Sequence, residues 1–144
     1  MNLKNHTSEV DAHTSLSKIE KALVEAGALS IQKLYANKEC TGVSFGMRVN
    51  DRFVTFLLTA KTKEVYEHLL NQRQRREQRT LEACQKQAVR TAWKIISDWV
   101  DIQLAMIQLE QVEPLQAFFP YLHDGQTSFY EKLKNDHFKL LGPG

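Results

Sequence analysis

The chain has 144 residues, of which 42% are hydrophobic and 25% are charged, a balance that is ordinary for a globular domain. This length allows one domain with a substantial core and excludes two full-sized ones. Cys40 and Cys84 form no Cys-x-x-Cys pair, which argues against a secreted disulfide framework and for a reducing compartment. Charged or amide residues interrupt every apolar run before it reaches the length of a membrane span. We therefore expect a cytoplasmic protein that does not enter the membrane.

The N-terminal region predicts a disordered tail, residues 1–14, followed by a single α+β domain, residues 15–144. The tail is polar and mixed in charge, and it lacks the apolar run of a signal peptide. Ser17 followed by Glu20 forms a capping box, which predicts a helix that continues to about Ala36. Gly27 inside this helix costs about 1 kcal/mol relative to alanine, so it marks either a close helix contact or a break.

Residues 41–60 predict a β-hairpin with a two-residue turn at Asn50-Asp51. This turn places most of the apolar side chains on one face: Val43, Phe45, Met47, Val54, Phe56 and Leu58. A slip by one residue would scramble this sorting, so the pattern fixes the register. Both turn residues must then adopt positive φ, as in a type I′ turn. Phe53 falls on the more polar face beside Arg48 and Thr55, where it either packs or makes a binding contact.

The segment from Thr80 to Gln111 predicts a helix with two apolar stripes at about 100° per residue. One stripe consists of Leu81, Cys84, Ala88, Ile95, Trp99, Ile102, Met106 and Leu109. The other consists of Val89, Trp93, Ile96, Val100, Leu104 and Ile107. A helix that is apolar on most of its circumference must be covered on several sides. We expect this helix to form the centre of the core and the protein to be a homo-oligomer.

Another helix is predicted to start near Thr62, and residues 71–80 either continue it into the central helix or break it. Glu113-Pro114 starts one short helix, and the capping box formed by Ser128 and Glu131 starts another. The fold class is therefore α+β and helix-dominated. Its expected order is an N-terminal helix, a β-hairpin, a long or broken central helix and two short C-terminal helices.

The charge distribution is uneven, although the net charge is only +2. Residues 61–94 hold nine Lys and Arg against four Asp and Glu, whereas residues 95–131 hold six acids and no base. A continuous helix over residues 73–94 would gather six basic side chains within about 100°. We call this set the basic stripe: Arg75, Arg76, Arg79, Lys86, Arg90 and Lys94. Such a row suits a nucleic-acid backbone, a solvated helix face, or pairing with acids of a second copy.

Several aromatic residues are candidates for contacts as well as for packing. Trp93 and Trp99 are expected in the core, although aromatic side chains also stack on bases. Together with Phe118 and Phe119, they are the candidates for association with a partner protein or a second copy of the chain.

The sequence carries no Walker A motif, dinucleotide-binding glycine pattern or nucleophile elbow. The five histidines and two cysteines lack metal-ligand spacing. Asp98 and Asp101 lie one helical turn apart but have no further local carboxylates to complete a cation site. We expect a protein that is not an enzyme and that holds no metal or cofactor.

Five short motifs in the second half of the chain are similar to those of a known group of proteins. They are Ala92-Trp93-Lys94-Ile95, Asp98-Trp99-Val100, Gln103, Phe119-Pro120-Tyr121-Leu122 and Phe129-Tyr130-Glu131-Lys132-Leu133. With the order of hairpin, Arg/Gln-rich helix and Trp-rich helix, residues 15–141 resemble small, mostly uncharacterised proteins encoded by tailed phages and prophages. The resemblance implies an accessory role in the cytoplasm of a host cell, and it supplies no activity or site residue.

The function predicted from these observations is a non-enzymatic phage accessory protein that binds nucleic acid weakly through the basic stripe. The alternative is a protein-interaction module, such as a phage inhibitor of a host defence component. Its contact surface would be apolar or acidic residues around positions 110–119.

Overall fold

The computed structural model describes residues 2–76 and 80–143, and the side chains of all of these except residues 73–76. Across the described residues there are five α-helices and four β-strands. The helices are α1 (Ala12–Glu25), α2 (Thr62–Arg76), α3 (Leu81–Gln108), α4 (Pro114–Phe118) and α5 (Phe129–Asn135). The strands are β1 (Ser30–Ala36), β2 (Glu39–Val49), β3 (Arg52–Thr59) and β4 (Leu122–His123). The predicted helix-dominated α+β class is confirmed.

The strands form one antiparallel sheet in the order β1-β2-β3-β4. The predicted hairpin is confirmed as β2 and β3, with Val49 opposite Arg52 and Phe45 opposite Phe56. Asn50 and Asp51 have φ values of 48° and 67°, the positive angles that a type I′ turn requires. The register therefore follows from the alternation of apolar residues and from the turn, as predicted.

The predicted helix from Ser17 to Ala36 is wrong at both ends. Helix α1 begins earlier, at Ala12, and ends at Glu25, and residues 30–36 form strand β1. Gly27 adopts a φ of +111°, its amide donates to the carbonyl of Val24, and the amide of Ala28 donates to the carbonyl of Leu23. This is a Schellman motif, the usual helix end with glycine in the left-handed region. Gly27 therefore marks a break.

The chain divides into two compact units. The first unit contains Met1–Ala22 and Ala60–Leu104, and the second contains Leu23–Thr59 and Ala105–Gly144. Helices α1 and α3 each contribute residues to both units. The single domain over residues 15–144 stays a prediction.

Each unit has its own buried apolar side chains. In the first, Val65 and Leu69 of α2 form a cluster with Ala88 and Ala92 of α3. In the second, Phe45 stacks on Phe56 with ring centroids 5.0 Å apart, and the edge of the Phe118 ring contacts both. Burial of this aromatic face holds the short helix α4 against the sheet.

Candidate nucleic-acid interface

Helix α3 positions the C-terminal half of the basic stripe. Thr80 precedes the helix, and its hydroxyl accepts a hydrogen bond from the amide of Ala83 at 3.1 Å, so Thr80 acts as the N-cap. Glu82 in the first turn also favours a helix start. From Leu81 onward the helix is uninterrupted to Gln108. Residues 71–80 are predicted either to continue the helix or to break it. Thr80 is not helical, so the break is observed there.

The basic stripe consequently does not lie on one continuous helix. Arg75 and Arg76 belong to the end of α2, and the structure does not describe their side chains. Arg79 lies outside the described residues. Lys86, Arg90 and Lys94 follow one another at intervals of four on α3, and therefore share one helix face. The arc of six residues holds only for a continuous helix. Because Thr80 is not helical and the side chains of Arg75, Arg76 and Arg79 lie outside the described residues, it stays a prediction.

The described members of the basic stripe differ in side-chain exposure and in the partners that their charged groups already have. The side chain of Lys86 is 68% exposed and makes a surface ion pair of 3.5 Å with Glu82, an interaction that water largely screens. Arg90 is half-buried, and its Nη2 donates to Oε1 of Gln87 at 2.6 Å. Lys94 is only 22% exposed and binds Asp98 at 2.8 Å. Access to a phosphate thus decreases from Lys86 to Lys94.

Asp98 connects the stripe to the N-terminal segment. In addition to pairing with the ammonium of Lys94, it accepts a hydrogen bond of 2.9 Å from the side-chain amide Nδ2 of Asn5 and lies 3.5 Å from Nζ of Lys4. Partial burial alone would raise the pKa of Asp98. Hydrogen bonds from Lys94 and Asn5, together with the positive charges of Lys94 and Lys4, lower the pKa below its usual value. Asp98 is therefore a carboxylate that competes with any phosphate for Lys94.

The N-terminal segment is held on α3 by two further polar residues. Buried Gln87 donates through Nε2 to the carbonyl of Ser8 at 2.9 Å, and buried Thr91 donates through its hydroxyl to the carbonyl of Asn5 at 2.9 Å. Asn5 and Ser8 therefore contact α3, whereas the sequence predicts a disordered tail over residues 1–14. Gln87 and Thr91 carry no apolar signal, so sequence periodicity gives no sign that this helix face binds the preceding chain.

The aromatic candidates divide between core and surface. Trp93 is fully buried, which confirms its predicted core position, and Phe118 is fully buried as well. Neither side chain can therefore contribute to a contact surface in this conformation. Trp99 is half-buried. Phe119 is 39% exposed and meets Phe129 edge-on with centroids 4.8 Å apart. Phe119 is thus the most accessible of the four candidates.

Among the described residues, no group of three or more His, Cys, Asp and Glu side chains is arranged to hold a metal ion. Asp98 is occupied by the contacts described above, whereas Asp101 is exposed. Within the same part of the chain, no helix combines the length and apolar character needed to cross a membrane.

Comparisons with protein-family models, with curated proteins and with solved structures found no match to this chain.

Proposed function

We propose that this protein is a non-enzymatic accessory protein that binds nucleic acid weakly through Lys86 and Arg90 of α3, with Lys94 recruited on binding. The observation that carries the proposal is the spacing of these three residues, which we call the row on α3, along an uninterrupted helix. Eight positions at 1.5 Å each extend over about 12 Å, which equals the rise of three to four phosphates of one strand measured along a duplex axis. As part of this proposal, the expected likeness to phage proteins suggests the cytoplasm of a host cell as the setting.

The charge of the first unit supports an anionic partner. Its sequence contains twelve Lys and Arg against nine Asp and Glu, a net charge of +3, whereas the second unit has seven against eight, a net charge of −1. Arginine binds phosphate through two parallel N–H groups, and lysine acts as a point charge. No base-reading motif accompanies the row, so we expect little sequence preference and an affinity that falls steeply with salt.

The experiment is a binding titration of a fluorescein-labelled 20-mer oligothymidylate, followed by anisotropy. We expect the double variant K86E/R90E to lose most of the affinity because two attractive contacts become repulsive. The matched control is K18E/K21E, which changes the net charge equally through two exposed lysines of α1 in the same unit. Equal loss in both variants would show that only overall charge matters and would contradict a site on α3.

Exposed apolar residues in the second unit favour a second candidate, protein interaction. Leu109 is 69% exposed, Phe119 39%, Tyr121 38% and Tyr130 48%. Several exposed apolar side chains within a short stretch of sequence are a recurrent property of protein-binding surfaces. A phage or host protein, or a second copy of the chain, would be the partner in this proposal.

Light scattering coupled to size exclusion tests the self-association form of this candidate. A dimer that persists in 1 M NaCl and becomes a monomer in L109E would support it. A monomer at both low and high salt would contradict the proposed homo-oligomer. L140E is the matched control, because Leu140 is similarly exposed at 76% but lies far along the chain.

A further inference from the structure

The face of the sheet opposite the aromatic core of the second unit carries a cavity of about 640 Å³. We call it the outer face: it consists of the side chains of Ser44, Phe53, Thr55 and Leu57 with their neighbours on β1 and β4. A cavity of this size lies within the usual range for small-molecule sites. Every residue that lines it belongs to the second unit. The cavity and the row on α3 therefore belong to different units.

Phe53 provides an open aromatic ring at this cavity. Its side chain is 56% exposed, although it stands on a central strand of the sheet. The ring lies against Gly46 of the neighbouring strand, where an added Cβ atom would come within 2.1 Å of the ring. Gly46 thus allows the ring to rest on the strand backbone. One side of the ring is supported by the sheet, and the exposed fraction remains available for stacking.

Two arginines lie near Phe53 in the hairpin. Arg48 is its partner in the β2–β3 register, and Arg52, the residue before Phe53, lines the cavity. Both are exposed, and neither forms an ion pair within the described part of the chain. Lys132 also lines the cavity, but its ammonium is held by Asp124 at 2.6 Å. The guanidinium groups of Arg48 and Arg52 are therefore available to bind an anion beside Phe53.

Uncharged polar groups complete the lining. Ser44, Thr55 and Gln32 supply hydroxyl and amide groups at the cavity wall. Nδ1 of His123 accepts a hydrogen bond from the backbone amide of Gly125 at 2.9 Å, which leaves Nε2 as the ring nitrogen that can donate. Such groups can both donate to and accept from the edge of a planar polar ring.

We propose that this cavity binds one unpaired base of a single-stranded nucleic acid, stacked on Phe53, with the adjoining phosphate held by Arg48 and Arg52. An aromatic ring, neutral hydrogen-bonding groups and unpaired arginines are the features of single-strand recognition. A neutral sugar would leave the positive charge of the arginines uncompensated, whereas a phosphate would pair with it, so the charge favours a nucleotide. This inference rests on the proposed nucleic-acid binding and assigns it a second contact point.

The test uses the intact protein and the same labelled oligothymidylate. We expect F53A to weaken binding by about fivefold to a hundredfold, because a stacked base contributes strongly and its loss is not compensated. F53W should retain the affinity, and the oligonucleotide should quench its added fluorescence. G46A keeps the aromatic residue but displaces its ring, so it should weaken binding in the same direction. R48Q should reduce the magnitude of the salt slope by about 0.7, the value for one phosphate on a single strand.

The outcomes separate this inference from the proposed function. If F53A and G46A remain folded by thermal unfolding and bind like the wild type, while K86E/R90E loses binding, the cavity proposal is overturned and the function stands. Binding lost in F53A but unchanged in K86E/R90E would support the cavity and overturn the site on α3. Quenching of F53W by a neutral tetrasaccharide and not by the oligonucleotide would assign the cavity to sugars and overturn the proposal. An absence of wild-type binding would overturn both.

Discussion

Replacing Asp98 by asparagine should lower stability and raise nucleic-acid affinity at the same time. The carboxylate is 23% exposed, pairs with Lys94 at 2.8 Å and lies 3.5 Å from Lys4. An exposed ion pair contributes at most about 1 kcal/mol, and a hydrogen bond to a charged group up to about 3 kcal/mol. Because asparagine keeps an oxygen that can accept from Asn5, we expect D98N to lose about 1 to 2 kcal/mol. For a chain of this size that corresponds to a decrease in Tm of about 3 to 6 °C.

The predicted gain in nucleic-acid affinity follows because D98N removes the carboxylate that pairs with Lys94. Without the carboxylate, the ammonium becomes free for a phosphate, so D98N should bind oligothymidylate more tightly than the wild type. Its salt slope should be steeper by about 0.7, since one more phosphate is neutralised. D101N is the matched control, because Asp101 is exposed on the same helix and makes no ion pair within the described residues. Both variants lose one negative charge.

Two results would refute this reasoning. If D98N and D101N had the same stability, the Lys94–Asp98 pair would contribute nothing. If D98N bound the oligonucleotide less tightly than D101N did, the carboxylate would not compete with phosphate for Lys94. Urea unfolding and anisotropy titrations on the three proteins give both answers.

The pH dependence of stability provides an independent check on Asp98. Its pKa in the folded protein is lowered, so the folded value lies below the unfolded value of about 3.9. The stabilisation is therefore fully present above the unfolded pKa and is lost as the pH falls through the folded pKa. We expect the stability difference between wild type and D98N to be constant from about pH 7 to pH 5 and to shrink below about pH 4. A difference that grew on acidification would contradict this assignment.

Three further predictions concern stability, and urea unfolding measures all of them. F118A should cost about 3 to 5 kcal/mol because the fully buried ring meets Phe45 at 5.2 Å, whereas F119A, at a site 39% exposed, should cost much less. E110G should stabilise the protein by about 0.5 to 1 kcal/mol because Glu110, just beyond the C-terminal end of α3, has a φ of +59°, and E110A should show no such gain. K38G should stabilise the β1–β2 turn for the same reason, since Lys38 has a φ of +66°. A loss of stability in either glycine variant would show that the positive φ angle is not a source of strain.

Local patterns in the sequence were sufficient for the β2–β3 hairpin but not for strand β1. The alternation around Phe45 and Phe56 has period two, and Asn and Asp tolerate the positive φ angles of the turn. In residues 30–36, by contrast, the apolar pair Ile31 and Leu34 also fits a helix at spacing i, i+3. Pairing with β2 decides the structure there, and that contact lies outside the reach of periodicity.

The candidate site was predictable only in part, for similar reasons. A threonine directly before an apolar helical pattern is a start signal, so Thr80 could have indicated the break in the basic stripe. The pairing of Lys94 with Asp98 follows from their spacing of four on one helix. The hydrogen bonds from Gln87 and Thr91 to the N-terminal backbone depend on tertiary structure, since they join residues 79 and 86 positions apart.

The salt dependence of wild-type affinity for oligothymidylate tests the proposed function most directly. Two or three phosphates neutralised by the row on α3 predict a log–log slope of about −1.5 to −2. Affinity should then fall progressively between 50 and 300 mM NaCl, with a Kd in the micromolar range or weaker at physiological salt. A slope near zero, or no binding at 50 mM NaCl, would contradict nucleic-acid binding as the function.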